Sequence, residues 1–237
     1  MTLPLLISVP HAGLWVPPEA ADYCVLTPEE IAEDGDEGAA TIYELADIVA
    51  AFTTTRVARA IVDMNRSEAD RGPDGVVKTH TCWDVPVYDE PLPDDVVDAL
   101  LVRYYRPYHA EVTACAGSGA ELGIDCHTMA EHGPPTAPDP GEVRPMVCLS
   151  NADGTCPRQW IEALARCFAT VFPDEEVRIN SPFRGGYITR SHACELPWVQ
   201  LELSRSSVYS HEKKRRCVKS ALERWCADEL PRLARRR

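Results

Sequence analysis

The chain has 237 residues, 24 of them basic and 37 acidic, for a formal charge of −13 at neutral pH. So acidic a surface argues against nucleic acid as a partner, since that ligand demands a basic face. No apolar run approaches the length of a membrane span and no cationic leader opens the chain, so a cytoplasmic protein built as one α/β domain over residues 1–237 is expected.

Leu3 to Val9 reads as a buried strand that stops at Pro10-His11-Ala12-Gly13. Pro17-Pro18 breaks the loop that follows. Thr27-Pro28-Glu29-Glu30 then opens a helix, with Thr27 as N-cap, Pro28 in the first turn and Glu30 at the capping-box position. Asp34-Gly35-Asp36-Glu37-Gly38 ends it, and the stripe Ile42, Leu45, Ala46, Val49 predicts a second helix over Ala39 to Ala51. Thr53 to Val62 reads as a strand leading into Asp63-Met64-Asn65-Arg66. Ser67 to Pro93 is a long excursion of turn residues, a type of loop that is usually functional or mobile. A helix from Asp94 to about Ala116 turns Val97, Leu100, Leu101, Tyr104, Tyr105 and Tyr108 inward.

Leu122 to Met129 is the next strand, and it ends in acid, thiol, imidazole and hydroxyl: Asp125-Cys126-His127-Thr128. The Pro-rich loop Pro134 to Pro140 can continue neither strand nor helix. Further on come a strand at Met146 to Leu149, a helix at Cys156 to Val171, a brief strand at Val177 to Ile179, a Gly185-Gly186 pair suited to close backbone approach, and a strand from Trp198 to Leu203. A helix over Ser206 to Leu233, interrupted before Pro231, closes the chain. The basic runs Lys213 to Arg216 and Arg235 to Arg237 read as a solvated face and a helix end. Strands alternating with helices imply a largely parallel, helix-covered sheet. The ten cysteines form no Cys-x-x-Cys pair and read as reduced thiols used for packing.

Two strands that each end in a histidine can aim both rings at one point above the sheet. His11, His127 and a carboxylate (Asp36, Glu19 or Asp125) are the ligand set of a catalytic zinc with one position left for water. Asp125 shares its side of the strand with His127 and can orient that ring from behind. Cys126 faces the other way, which favours packing over a nucleophile paired with His127. Glu202, on an apolar strand, must be paired or poised. It is a candidate general base, and its plainer alternative is a salt bridge to Arg205. Arg66, Arg184 and Arg190 flank strand ends, where guanidinium forks suit a carboxylate-bearing substrate.

Seven motifs in order carry a family resemblance. They are Ser8-Val9-Pro10-His11-Ala12-Gly13, Asp36-x-Gly38-Ala39, Asp63-Met64-Asn65-Arg66, Tyr105-Arg106-Pro107-Tyr108-His109, Asp125-Cys126-His127-Thr128-Met129, Phe183 to Arg190, and Gln200-Leu201-Glu202-Leu203. From about residue 5 to Tyr209 the chain resembles the N-formylglutamate amidohydrolase (deformylase) family, least closely between Arg66 and Tyr88. The resemblance implies a three-layer phosphorylase/hydrolase-like α/β fold with a central, mostly parallel mixed sheet, related to zinc carboxypeptidases and aspartoacylase. It also implies His11, Asp36 and His127 as ligands of one zinc ion, Asn65 with Arg66 as the substrate-binding pair, and Glu202 as the base. The expected activity is metal-dependent hydrolysis of an N-acyl, N-formyl by the family, acidic amino acid. The competing readings are a carboxypeptidase-like or other N-acyl-amino-acid hydrolase, a small-molecule sensor that keeps the pocket without turnover, and a cysteine hydrolase.

Overall fold

A computed structural model describes residues 2–135 and 137–234. Six strands form one sheet in the order β2-β1-β3-β6-β4-β5: β1 (Leu3–Val9), β2 (Val49–Thr54), β3 (Leu122–Met129), β4 (Val147–Ser150), β5 (Val177–Ile179) and β6 (Trp198–Ser204). All neighbours are parallel except β4 and β6. The helices are α1 (Pro18–Ala21), α2 (Pro28–Asp34), α3 (Ala39–Ile42), α4 (Asp94–Leu100), α5 (Arg106–Ala116), α6 (Arg158–Val171), α7 (Tyr187–Ser191), α8 (His211–Arg224) and α9 (Leu230–Ala234). A π turn, Leu101–Tyr105, joins α4 to α5, and a second, Trp225–Glu229, joins α8 to α9 just before Pro231. Proline has no N–H and crowds the carbonyl four residues back, so the ladder widens at both places, since Pro107 follows the first π turn.

Strand alternation gives the sheet two different faces. Leu5, Ile7, Leu122, Ile124, Cys126, Val199 and Leu201 belong to a core covered by α3, α6 and α8. On the other face, register sets Leu6, Gly123 and Trp198 side by side, then Ser8, Asp125 and Gln200, then His127 beside Glu202. That face is therefore apolar at the amino ends, where α5 packs, and polar at the carboxyl ends.

Several expectations need correction. The helix predicted over Ala39 to Ala51 is only α3, and β2 begins at Val49 rather than Thr53. Ile42, Leu45 and Val49 are buried as predicted, but Ala46 is exposed, and the run from Val49 pairs with the free edge of β1. The predicted strand to Val62 ends at Thr54; Val57 and Ala58 make only isolated bridges to Trp15 and Gly13. The C-terminal helix starts at His211, capped by the Ser210 hydroxyl, which accepts the Lys213 N–H at 3.3 Å. Within the basic run, Lys214 is buried, not solvated: its Nζ donates to the carbonyls of Ser204 (2.7 Å) and Ser206 (2.8 Å), which the end of β6 leaves without ladder partners. Arg235 to Arg237 lie outside the described residues. The capping box at Thr27 and Glu30 forms as predicted, and none of the ten cysteines is in a disulfide.

Gly123 is required by packing. A Cβ there would lie inside the Trp198 indole on the neighbouring strand. Gly123→Ala is expected to lower unfolding free energy by about 1–3 kcal/mol, the usual scale of overpacking. Urea denaturation checks this; an unchanged midpoint would contradict it.

Candidate active site

The strand order reverses between β1 and β3, and open α/β sheets hold ligands in the crevice outside the carboxyl ends at such a point. His11 lies two residues beyond β1 and His127 lies near the end of β3. Asp36 arrives from the turn after α2, whose approach is fixed when its backbone N–H donates to the His11 carbonyl at 3.1 Å. Gly38 completes that turn at φ +77°, the left-handed region glycine favours, directly against the His211 ring. Asp36 Oδ2 accepts the Thr128 N–H and lies 3.1 Å from His127 Nδ1 and 3.7 Å from His11 Nδ1. The two Nδ1 atoms are 3.1 Å apart, and all three side chains are buried.

The hydrogen bonds behind the two rings fix where their protons lie. Asp63 Oδ1 lies 2.8 Å from His11 Nε2 and accepts the Asn65 N–H, while its Oδ2 accepts Arg59 Nε at 3.0 Å. Burial acts to raise the Asp63 carboxyl, but His11, Arg59 and Arg66 hold it well below the usual range. Asp63 has no proton to give, so His11 donates from Nε2, which leaves Nδ1 as the nitrogen that faces His127 and Asp36. His127 repeats the pattern: Nε2 lies 2.9 Å from Asp125 Oδ2, and Asp125 Oδ1 accepts the Ser8 hydroxyl at 3.0 Å. The Asn65 amide nitrogen stands 3.2 Å from the same Nε2 but is only a neighbour, since a ring N–H cannot also accept.

Two ring nitrogens and a carboxylate oxygen aimed at one buried point repel each other unless a proton or a metal ion lies among them. The surrounding charges make the same demand. Burial opposes a charge on His127, yet Asp125, Asp36 and Glu202 push its pKa well above the ordinary value. Burial likewise acts to raise the Asp36 carboxyl, but His11 and His127 hold it well below the carboxylate range. Two imidazoles and a carboxylate, each ring backed by a second carboxylate, are a donor set that fits a divalent ion of the zinc type.

Glu202 sits beside His127 in register, on the same face and buried. Its Oε1 accepts Gln200 Nε2 at 2.7 Å, and burial raises its carboxyl against the pull of His127. The alternative pairing with Arg205 is absent: that guanidinium lies 3.5 Å from Asp36 Oδ1 and donates to the Gly35 carbonyl. Around these groups opens a cleft of about 330 Å³ whose walls include Asn65, Arg66, Trp83, Phe183, Arg184 and Arg205. Arg66 is held side-on: Nε donates to the Asp74 carbonyl at 2.8 Å and Nη2 to the Asp74 carboxylate. Buried Lys78 bridges Asp74 (2.7 Å) and Asp34 (2.9 Å) behind it. The long excursion after Arg66 thus supplies the lock on that arginine.

Arg184 is exposed at the cleft edge, 4.0 Å from Asp153, whereas Arg190 is exposed on α7 and is not part of the cleft wall. Glu19 pairs with Arg103 and Tyr104, so among the three carboxylates left open, Asp36 stands at the point and Asp125 behind His127. The Gly185-Gly186 pair does allow close approach, since a Cβ at 186 would collide with the Asn65 amide. Cys126 lies in the opposite core with burial pushing its thiol up, so no Cys126–His127 nucleophile exists. Sequence reasoning missed Asp63 as the partner of His11, though it lay inside a polar cluster already singled out. It also missed Arg144, a cleft residue whose guanidinium stacks 4.9 Å from the Phe183 ring and pairs with Asp139; nothing in its irregular loop signals that role.

Residues 3–209 match the family described as N-formylglutamate amidohydrolase. The N-formylglutamate deformylase of Pseudomonas aeruginosa is 27% identical over 219 residues, covering 86% of this chain and 81% of the relative. That of Pseudomonas putida is 28% identical over 222 residues, with the same coverage. The crystal structure of an N-formylglutamate amidohydrolase from Ralstonia eutropha JMP134 superposes with a TM-score of 0.79 at 21% identity, covering 99% of this chain and 95% of that one. The mixed α/β fold with its mainly parallel sheet is thus shared, and the chain belongs to the N-formylglutamate amidohydrolase family.

Proposed function

We propose that the protein hydrolyses the amide bond of an N-acylated acidic amino acid, N-formylglutamate by its family, with one divalent ion, zinc by its donor set, held by His11, Asp36 and His127. The observation that carries this reading is the convergence of two imidazole nitrogens and a carboxylate within 4.8 Å, next to Glu202 on the adjoining strand. A divalent ion there supplies a Lewis acid for the amide carbonyl and acidifies the attacking water. Glu202 takes a proton from that water as its oxygen bonds to the carbonyl carbon. It delivers the proton to the nitrogen as the C–N bond breaks, releasing the acid and the free amino acid. The raised carboxyl of Glu202 suits a group that must both accept and return a proton. Arg66, locked by Asp74 along one edge, offers its remaining N–H groups to a substrate carboxylate, with Arg184 at the cleft edge as the second clamp. Asn65 lies between the His127 ring and the backbone of Ile188, where it borders the reacting amide.

Purified protein is expected to hold about one divalent ion per chain, and His11→Ala or His127→Ala to lose it. Elemental analysis checks this, and full metal content in both variants would remove the assignment. Glu202→Gln preserves volume and the fold. Its metal content should stay intact while turnover of N-formylglutamate drops at least about 100-fold. Near-normal turnover in metal-loaded Glu202→Gln would exclude Glu202 as the base. Arg66→Lys keeps the charge but loses the fork, and should weaken transition-state binding of a dicarboxylate substrate by about 1.5–3 kcal/mol. An unchanged kcat/KM on the best acidic substrate would refute the clamp.

A further inference from the structure

The motif Tyr105-Arg106-Pro107-Tyr108-His109 has no part in the mechanism above, and none of its residues lines the cleft. Tyr105, Tyr108 and His109 stand at spacings of three and four, on one face of the helix that packs on β1 and β2. Their polar tips reach three points of the site's framework. Tyr105 Oη donates to the Arg66 carbonyl at 2.8 Å, and His109 Nε2 donates to the Met64 carbonyl at 3.0 Å. Tyr108 Oη lies 2.8 Å from Ser8 Oγ.

The direction of the last bond follows from counting protons. Ser8 has one hydroxyl proton and gives it to Asp125, so Tyr108 must donate to Ser8. The wire then reads Tyr108 to Ser8 to Asp125, with the His127 Nε2 proton donated to the same carboxylate from the other side. Ser8, Asp125 and Tyr108 are all buried, and phenylalanine with alanine would fill the space without burying polar groups. With Tyr108 as donor, the Ser8 hydroxyl cannot rotate away from Asp125. His109 is oriented in the same manner: a carbonyl can only accept, so its Nε2 carries the proton, and its Nδ1 lies 2.9 Å from His192 Nε2, the two rings 5° from parallel.

We infer that Tyr105, Tyr108 and His109 are positioning residues of the active site. Tyr108, through Ser8 and Asp125, keeps the His127 proton on Nε2 and leaves Nδ1 bare for the metal. Tyr105 and His109 pin the segment 64–66 that presents Asn65 and Arg66. The metal half of this inference rests on the centre proposed above; the proton wire does not.

Tyr108→Phe removes one hydroxyl and keeps the ring. Zinc affinity, measured by competition with a chromophoric chelator, should fall about 10-fold, the lower end for loss of a ligand's outer support. Ser8→Ala should do the same, and the double variant should be no weaker than Ser8→Ala alone, because Tyr108 acts only through Ser8. Tyr105→Phe should leave zinc affinity unchanged and raise KM for N-formylglutamate more than it lowers kcat. In metal-free protein, the His127 Nε2–H resonance should be sharp in the unmodified chain and broadened in Tyr108→Phe and Ser8→Ala. Lower melting temperature with unchanged zinc affinity and an unchanged ring N–H would make Tyr108 a packing residue and overturn the inference, as would strictly additive losses in the double variant. An unmodified chain that binds no zinc would refute the proposed centre instead, and the ring N–H comparison would still decide the wire.

Discussion

His11 Nδ1, His127 Nδ1 and Asp36 Oδ2 converge at one buried point, and much of the surrounding structure serves to keep them there. Asp63 and Asp125 lock the ring protons away from that point, Arg59 and Ser8 hold those carboxylates, and the Thr128 N–H and Arg205 hold Asp36. A metal ion bound there, as proposed, would couple metal affinity to folding stability.

The sheet makes this possible through register. Parallel pairing brings His127 beside Glu202 and Asp125 beside Gln200, so the proposed ligand, its support and the proposed base all emerge on one face. A slip of one residue between β3 and β6 would set Leu201 or Leu203 beside His127 and turn Glu202 into the apolar core. Trp198 against Gly123 guards against that slip, since only glycine lets the indole lie flat across β3. The packing that fixes the fold at the amino ends of the strands thereby fixes the chemistry at their carboxyl ends.

What could be read from the chain and what could not divide along physical lines. β1, β3, β5 and β6 were legible because a short apolar run that stops abruptly at polar residues suits a buried strand better than a helix, and His11, His127 and Glu202 came with them. The helix predicted over Ala39 to Ala51 failed because a stripe at helical spacing and a short edge strand can share the same apolar residues. Lys214 failed because a charge run says nothing of unpaired carbonyls at a distant strand end. Asp63, Asp74 and Arg144 act through partners 52, 8 and 5 residues away, along irregular backbone that has no period to read. Asp36 was one of three open carboxylates until tertiary contact separated it from Glu19, held by Arg103, and from Asp125, held behind His127.

Whether the three atoms enclose a cation site is read most directly by anomalous diffraction from crystals grown with zinc. One strong anomalous peak is expected, bonded to His11 Nδ1, His127 Nδ1 and Asp36 Oδ2, with both Nε2 atoms still facing Asp63 and Asp125. No peak at that point, or one bonded to either Nε2, would contradict the proposed centre.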